Sequence, residues 1–196
     1  MTARDGMADL ILNLRGLTDA GTGDFTIGTI SYFSDDHLQA NLDRFRTDFI
    51  EDELYPVQQT LNGSAIYKEY RAHYTNLETV ASGTTIFNLS DAVGSNVATT
   101  LWTADYTNGI VTFASDQGGT SYNLSGRSYD LNAAAGAVWR LKAANAAKMF
   151  DFSTDNHSLK RSQFMQSCIQ MAEMDEGMAS PTVVELYRGD MWGVND

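Results

Sequence analysis

Histidine is the first place to look for chemistry, and this chain of 196 residues carries three, His37, His73 and His157. A zinc site or a paired acid–base needs such side chains brought together by an i, i+4 step on a helix or a His-x-His step on a strand. Neither spacing occurs. His37 follows Asp35 and Asp36, which reads either as a small metal cluster or as a helix start whose acids offset the dipole, and direct adjacency favours the start. The single cysteine, Cys168, permits neither an internal disulfide nor a cysteine-built metal site. It falls on the apolar side of a helical stretch, where a thiol is buried and inert. Gly21, Gly23 and Gly28 miss the dinucleotide spacing, no Gly-Lys-Ser/Thr follows a glycine-rich turn, and no serine sits in a Gly-x-Ser-x-Gly elbow. Asp151 and Asp155, around Phe150 and Phe152, are explained by a loop that caps two helices.

Two further groups invite a binding function. Arg188-Gly189-Asp190 is an adhesion triplet in secreted settings. Tyr67, Tyr70, Tyr74, Trp102, Tyr106 and Tyr122 could line a sugar-binding face, or fill the core of the strands they help to form. The sequence offers no catalytic, cofactor-binding or metal-binding residues, and the expectation is a protein that is not an enzyme. A small hydrolase would need a nucleophile–base pair that the motifs do not supply.

The elements that carry these residues follow from composition and periodicity. With 43% hydrophobic and 11% aromatic residues the chain can bury a real core. No apolar run reaches the length of about 20 residues that spans a bilayer, so no membrane partner is expected. The opening MTARDGMADLILNLRGL is interrupted by Asp5, Asp9 and Arg15 and reads as no signal peptide, and the cysteine usage fits a reducing cytoplasm. A formal charge of −12 argues against gripping nucleic-acid phosphates over a wide surface, although an acidic wall lets DNA slide past. Leu10, Leu14 and Leu17 mark a first helix. Ser34-Asp35-Asp36 caps a second, continued by Leu38, Leu42, Phe45 and Phe49 and closed before Pro56. Between Asn62 and Gly126 five short β-branched and aromatic runs read as strands, with turns at Asn108-Gly109 and Gln117-Gly118-Gly119. Helical spacing returns at Asp130, where Asp130 or Asn132 can cap an alanine-rich helix. A further helix, capped by Ser158, carries Phe164, Cys168 and Met171.

The stretch from Arg127 to Glu176 also has a recognisable wording. Tyr129-Asp130-Leu131-Asn132-Ala133-Ala134-Ala135, then Trp139 and Lys142-Ala143-Ala144, then Phe150-Asp151-Phe152-Ser153, then Arg161-Ser162-Gln163 resembles the C-terminal half of head–tail connector (adaptor) proteins of tailed bacteriophages. Order and spacing agree over about 40 residues. The N-terminal half is similar more loosely, through the Ser34-Asp35-Asp36 cap and the helix with Leu42 and Phe45. Two departures stand out: Thr154-Asp155-Asn156-His157 replaces a loop in which glycine is common, and the β segment is larger than in compact members.

The resemblance implies a structural protein of the virion neck, made in the host bacterial cytoplasm. It would be a homo-oligomeric ring, typically of twelve copies, beneath the portal protein, extending the DNA channel and meeting the next neck or tail protein, while genomic DNA passes without specific binding. The expected fold class is α+β: a helical bundle core from residues 1–60 and 127–176, an inserted antiparallel β domain at 61–126, and an extended tail at 177–196. Trp139, Arg140, Lys142, Arg161 and Gln163 are the candidate interface residues on the helices, with Val183, Val184, Leu186 and Tyr187 on the tail. Each helical candidate could instead serve the protomer's own core or surface. A carbohydrate-binding β module, or another neck position such as a stopper or tail terminator, is the alternative reading.

Overall fold

The structure, a computed structural model, describes residues 3–22, 26–27, 30–31, 33–79, 87–146, 152–154, 157–159 and 161–180. A 3-10 turn at Asp5–Met7 leads into α1 (Ala8–Thr18), which buries Leu10, Ile11 and Leu14 as its periodicity dictates. Strands β1 (Thr26–Ile27) and β2 (Ile30–Ser31) form a short antiparallel pair, seen in backbone only. Ser34 then caps α2 (Asp35–Leu42), its Oγ accepting the His37 N–H at 3.4 Å.

The second helix does not run on towards Pro56. It stops at Leu42, a 3-10 turn covers Asp43–Phe45, and β3 (Arg46–Glu53) and β4 (Tyr55–Leu61) follow. Phe45 and Phe49 are a helical step apart, but tertiary packing overrides that spacing. Opposite Phe49 in the paired strand lies Gly126, over which the phenyl ring sits, and the same ring stacks on Tyr74 at 4.4 Å. A bare glycine in a strand is covered by a cross-strand aromatic, a pairing only the sheet can make.

Five more strands complete the β part: β5 (Ser64–Arg71), β6 (Asn88–Asp91), β7 (Trp102–Asp105), β8 (Ile110–Phe113) and β9 (Tyr122–Tyr129). One antiparallel sheet has the order β3-β9-β6 and the other β4-β5-β8-β7. The chain changes sheet at Leu54, which is fully buried and donates its N–H to Tyr122 O at 2.9 Å. Phe49, Leu54, Tyr70, Trp102, Phe113 and Tyr122 belong to one apolar cluster, in which Tyr70 meets Phe113 and Tyr122 edge-on, each at 5.3 Å between centroids. The Asn108-Gly109 turn joins β7 to β8 through four residues instead of two. Asp105 Oδ1 accepts the Asn108 N–H at 3.1 Å, and Gly109 takes φ +65°.

The expected helical bundle core over residues 1–60 and 127–176 is therefore not the architecture. Among the described residues the fold is mixed α/β, with seven strands in two antiparallel sheets making a β-rich core and four α-helices packed beside it. Residues 46–53 and 55–61 pair as strands, and β9 is the middle strand of its sheet, ending at Tyr129, with a single residue between it and the helix that begins at Leu131. The β part is thus built into the chain's main path.

Asp130 caps α3 (Leu131–Ala146), with Oδ1 accepting the Ala133 N–H at 2.9 Å. Between α3 and α4 (Arg161–Met178), the backbone forms a hairpin of β10 (Phe152–Thr154) and β11 (His157–Leu159). Ser158, expected as a helix cap, is instead paired with Ser153 in that hairpin. Asp151 and Asp155 lie outside the described residues. Leu14, Leu38, Leu42, Tyr129, Ala134, Ala135 and Val138 gather α1, α2 and α3 around a second apolar cluster. Among the described residues no helix is long and apolar enough to cross a membrane.

Candidate assembly surface on the C-terminal helix pair

Helices α3 and α4 approach closely because their shared face is made of small residues. A Cβ built on Gly136 would stand 3.2 Å from Ala172 O and 2.6 Å from Glu176 Cγ, so only glycine fits there without a shift. Ala135, Ala143, Ala146 and Ala172 are buried nearby. One helical turn beyond Gly136, Arg140 grips Glu176 through two bonds, Nε to Oε1 at 2.5 Å and Nη2 to Oε2 at 2.6 Å. The Glu176 carboxyl is held below its usual range by that guanidinium. Both side chains remain open to solvent, where such a pair contributes little to protomer stability.

Lys142 behaves differently from the other candidate interface residues. It is only 5% exposed, and its ammonium donates to Asp19 O at 2.6 Å, at the end of α1 where the carbonyls of a helix favour a cation. It also lies 4.9 Å from the centre of the Trp139 ring and 5.6 Å from that of Phe33. Its contacts tie α3 to α1 within the protomer. Trp139 is half-buried, and its indole N–H faces Asp175 without completing a hydrogen bond. Asp175, 3% exposed with Oδ2 unpartnered, has its carboxyl pushed up by burial, a shift the indole partly offsets. Cys168 is buried, and burial raises its thiol while Lys142 pulls the other way. The expected inert thiol fits this environment.

Both helices carry exposed apolar side chains. Leu141, Phe164, Met174 and Met178 are exposed, and a shallow cleft of about 270 Å³ runs between the helices over Arg140, Ala143, Ala144, Met165 and Ile169. Gln163 is exposed at the start of α4. Arg161 begins that helix and is described in backbone only, while Val183, Val184, Leu186, Tyr187 and the Arg188-Gly189-Asp190 triplet lie outside the described residues. No family model, curated protein or solved structure matches this chain.

The junction where β9 gives way to α3 is polar. Arg4 forks onto Asp43 at 2.9 and 2.7 Å, donates from Nε to Glu78 Oε1 at 3.1 Å, and from Nη2 to the Tyr129 hydroxyl at 3.0 Å. The Tyr129 hydroxyl in turn donates to Glu78 Oε2 at 2.6 Å. Burial, then the Glu78 contact, lifts the Tyr129 phenol far above its ordinary value, whereas the Arg4 guanidinium holds the Asp43 carboxyl below it. Glu78 is wholly enclosed, and a buried carboxylate needs partners of this kind. Beside the joint a groove of about 760 Å³ opens between Phe45, His73, Tyr74, Asp130 and Ser180.

Elsewhere the structure sorts the remaining candidates. His37 packs its ring nitrogen against the Ser34 hydroxyl at 2.9 Å, and Asp35 pairs with Arg15 at 2.6 Å, an arrangement of helix start and tether. Among the described residues no three His, Cys, Asp or Glu side chains gather as a metal site. Tyr70, Trp102 and Tyr122 are buried in the sheet core, so half of the imagined sugar platform faces inward. Sequence reasoning missed one constellation. His73 bridges Asp52, 2.8 Å from Nδ1, and the Tyr55 hydroxyl, which contacts Nε2. These residues are 18 and 21 positions apart, and no local signal joins them. Only the exit from β5 beside β3 and β4 does.

Proposed function

We propose that this chain is a structural protein of a tailed-phage particle, a connector that assembles as a ring between the portal and the next neck or tail protein. The observation that carries the reading is the α3–α4 pair. Its helices follow the order and spacing of the connector wording, and an open cleft of about 270 Å³ lies between them, lined by Ala143 and Ala144 of one helix and Met165 and Ile169 of the other. A lone monomer gains nothing from such a face, whereas a neighbouring copy would bury it. With the helical bundle set aside, the resemblance rests on residues 127–176 and not on the whole fold. The tail beyond Ser180 would carry a second contact through Val183, Val184, Leu186 and Tyr187. The charge of −12 suits a channel wall from which DNA must slide free.

Imaging of purified particles, or of the protein mixed with its portal, tests this directly. The expected result is a ring of density immediately beneath the portal. A chain that stays monomeric with portal present and is absent from particles overturns the proposal. Ala144→Arg, placed in the cleft on an exposed helix position, should abolish the ring while leaving the circular dichroism spectrum of the protomer unchanged.

A further inference from the structure

We propose that Tyr55, His73 and Asp52 form a nucleophile–base relay, and that Tyr55 is a site of covalent O-acylation by small activated esters. The Asp52 carboxylate lies 2.8 Å from His73 Nδ1 and the Tyr55 hydroxyl is hydrogen-bonded to Nε2. A carboxylate can only accept, so Nδ1 carries the proton and the lone pair of Nε2 faces the phenol. That is the arrangement in which a histidine takes a proton from an attacking hydroxyl while an acid fixes its tautomer.

The fold builds this corner deliberately. The register of β3 shifts between Phe49 and Asp52, with Glu51 at φ +53°, and this irregularity sets the local course of the strand at Asp52. Tyr55 opens β4, and the imidazole stands edge-on to its ring at 4.5 Å. Tyr55 is 53% exposed, so a small electrophile reaches the side chain, while Asp52 is only partly exposed. The chain's formal charge of −12 disfavours an anionic phosphoryl donor and favours a neutral acyl ester.

In the step itself the phenolic oxygen attacks the ester carbonyl. A bond forms between that oxygen and the acyl carbon, the bond from the acyl carbon to the leaving alkoxide or phenolate breaks, and the phenol's proton passes to His73 Nε2. The imidazolium, held beside Asp52, then releases it to the leaving oxygen or to water. No electrons are exchanged with a third party.

The test uses the full chain and p-nitrophenyl acetate as the acyl donor, with peptide mass mapping over time. In the wild-type protein Tyr55 should acquire acetyl about tenfold faster than the half-buried Tyr67 and Tyr106, and His73→Gln should slow Tyr55 labelling by about 100-fold, the range of general-base assistance. Asp52→Asn should slow it by a smaller factor, and Tyr55→Phe should remove the stoichiometric burst of nitrophenolate. Equal labelling of the three tyrosines in the wild-type chain overturns the proposal whatever the variants do. So does an unchanged Tyr55 rate in folded His73→Gln, or a burst that survives Tyr55→Phe; either leaves the trio a polar tether only.

Discussion

Gly109→Ala is a sharp test of how the β part is held together. Gly109 sits at φ +65°, and a Cβ there would come within 2.1 Å of Tyr74 O, a backbone atom that has no rotamer by which to move aside. Left-handed backbone costs an alanine about 1 kcal/mol relative to glycine. The larger cost is steric. The turn must retreat by roughly an ångström, and it docks on the 72–77 segment through three backbone bonds: Ala72 N–H to Gly109 O at 2.8 Å, Asn76 N–H to Thr107 O at 3.0 Å and Leu77 N–H to Tyr106 O at 2.8 Å. Losing two of these adds about 2 kcal/mol, for a total of about 3 kcal/mol, a large share of a typical domain's stability. Gly63→Ala is the matched control, because Gly63 has φ +79° with nothing within 4 Å of the added carbon. It should cost only the backbone term, about 1 kcal/mol. Urea denaturation followed by tryptophan fluorescence and circular dichroism measures both. If the two variants lose the same stability, the close approach of the turn to Tyr74 is wrong, and so is the docking built on it.

Three further outcomes are expected. Tyr70 is fully buried with a hydroxyl that has no partner, and burial pushes its phenol up to about 12. Tyr70→Phe should therefore be neutral or stabilising by about 1 kcal/mol in urea melts. Because the folded state holds that proton more tightly, the wild type should also lose stability as pH rises from about 10 through about 12, and the variant lose less. The Asp43 carboxyl is depressed by Arg4, so its contribution is present above the ordinary carboxylate value and lost as pH falls through the folded one. Asp43→Asn should be less stable than wild type near about pH 6, with the gap closing towards about pH 3. Asp175 is raised by burial, so stability falls as pH climbs from the ordinary carboxylate value through the folded one. Asp175→Asn should raise the melting temperature at neutral pH, by about 1 kcal/mol of stability, and lose that advantage in acid; a variant that melts lower at neutral pH refutes the idea that burial of this carboxylate is unfavourable.

What the sequence reveals here is what its neighbours in the chain decide. Leu10, Ile11 and Leu14 are legible as a helix face, Ser34 as a cap, and Asp130 as the start of the alanine-rich helix, since each signal lies within one or two turns. The five strand runs and the Gly109 turn are legible for the same reason. Phe49 is not, because its fate depends on Gly126 and Tyr74, far along the chain, and its spacing from Phe45 suits a helix equally well. The same blindness hides the Tyr55–His73–Asp52 trio and makes Lys142 look like a surface cation. Its partner, the carbonyl of Asp19, is 123 positions away. Of the candidate assembly surface, the helix pair and its small inner residues are readable in sequence, whereas the cleft over Ala143, Ala144, Met165 and Ile169 emerges only once the two helices are packed.

Asp130 has a consequence in mechanics. One carboxylate oxygen receives the Ala133 N–H and begins α3, while the other receives the Ser180 N–H at 2.7 Å, at the point where the tail departs. Asn132 fastens the same place by donating to Met178 O at 3.1 Å. A pull on the tail is therefore delivered to the first turn of α3, and from there along β9 into the middle of a sheet, without travelling the length of α4. The end of α4 and the sheet are thus coupled through two neighbouring side chains, Asp130 and Asn132, and Asp130→Ala would remove one of the two links together with the α3 cap.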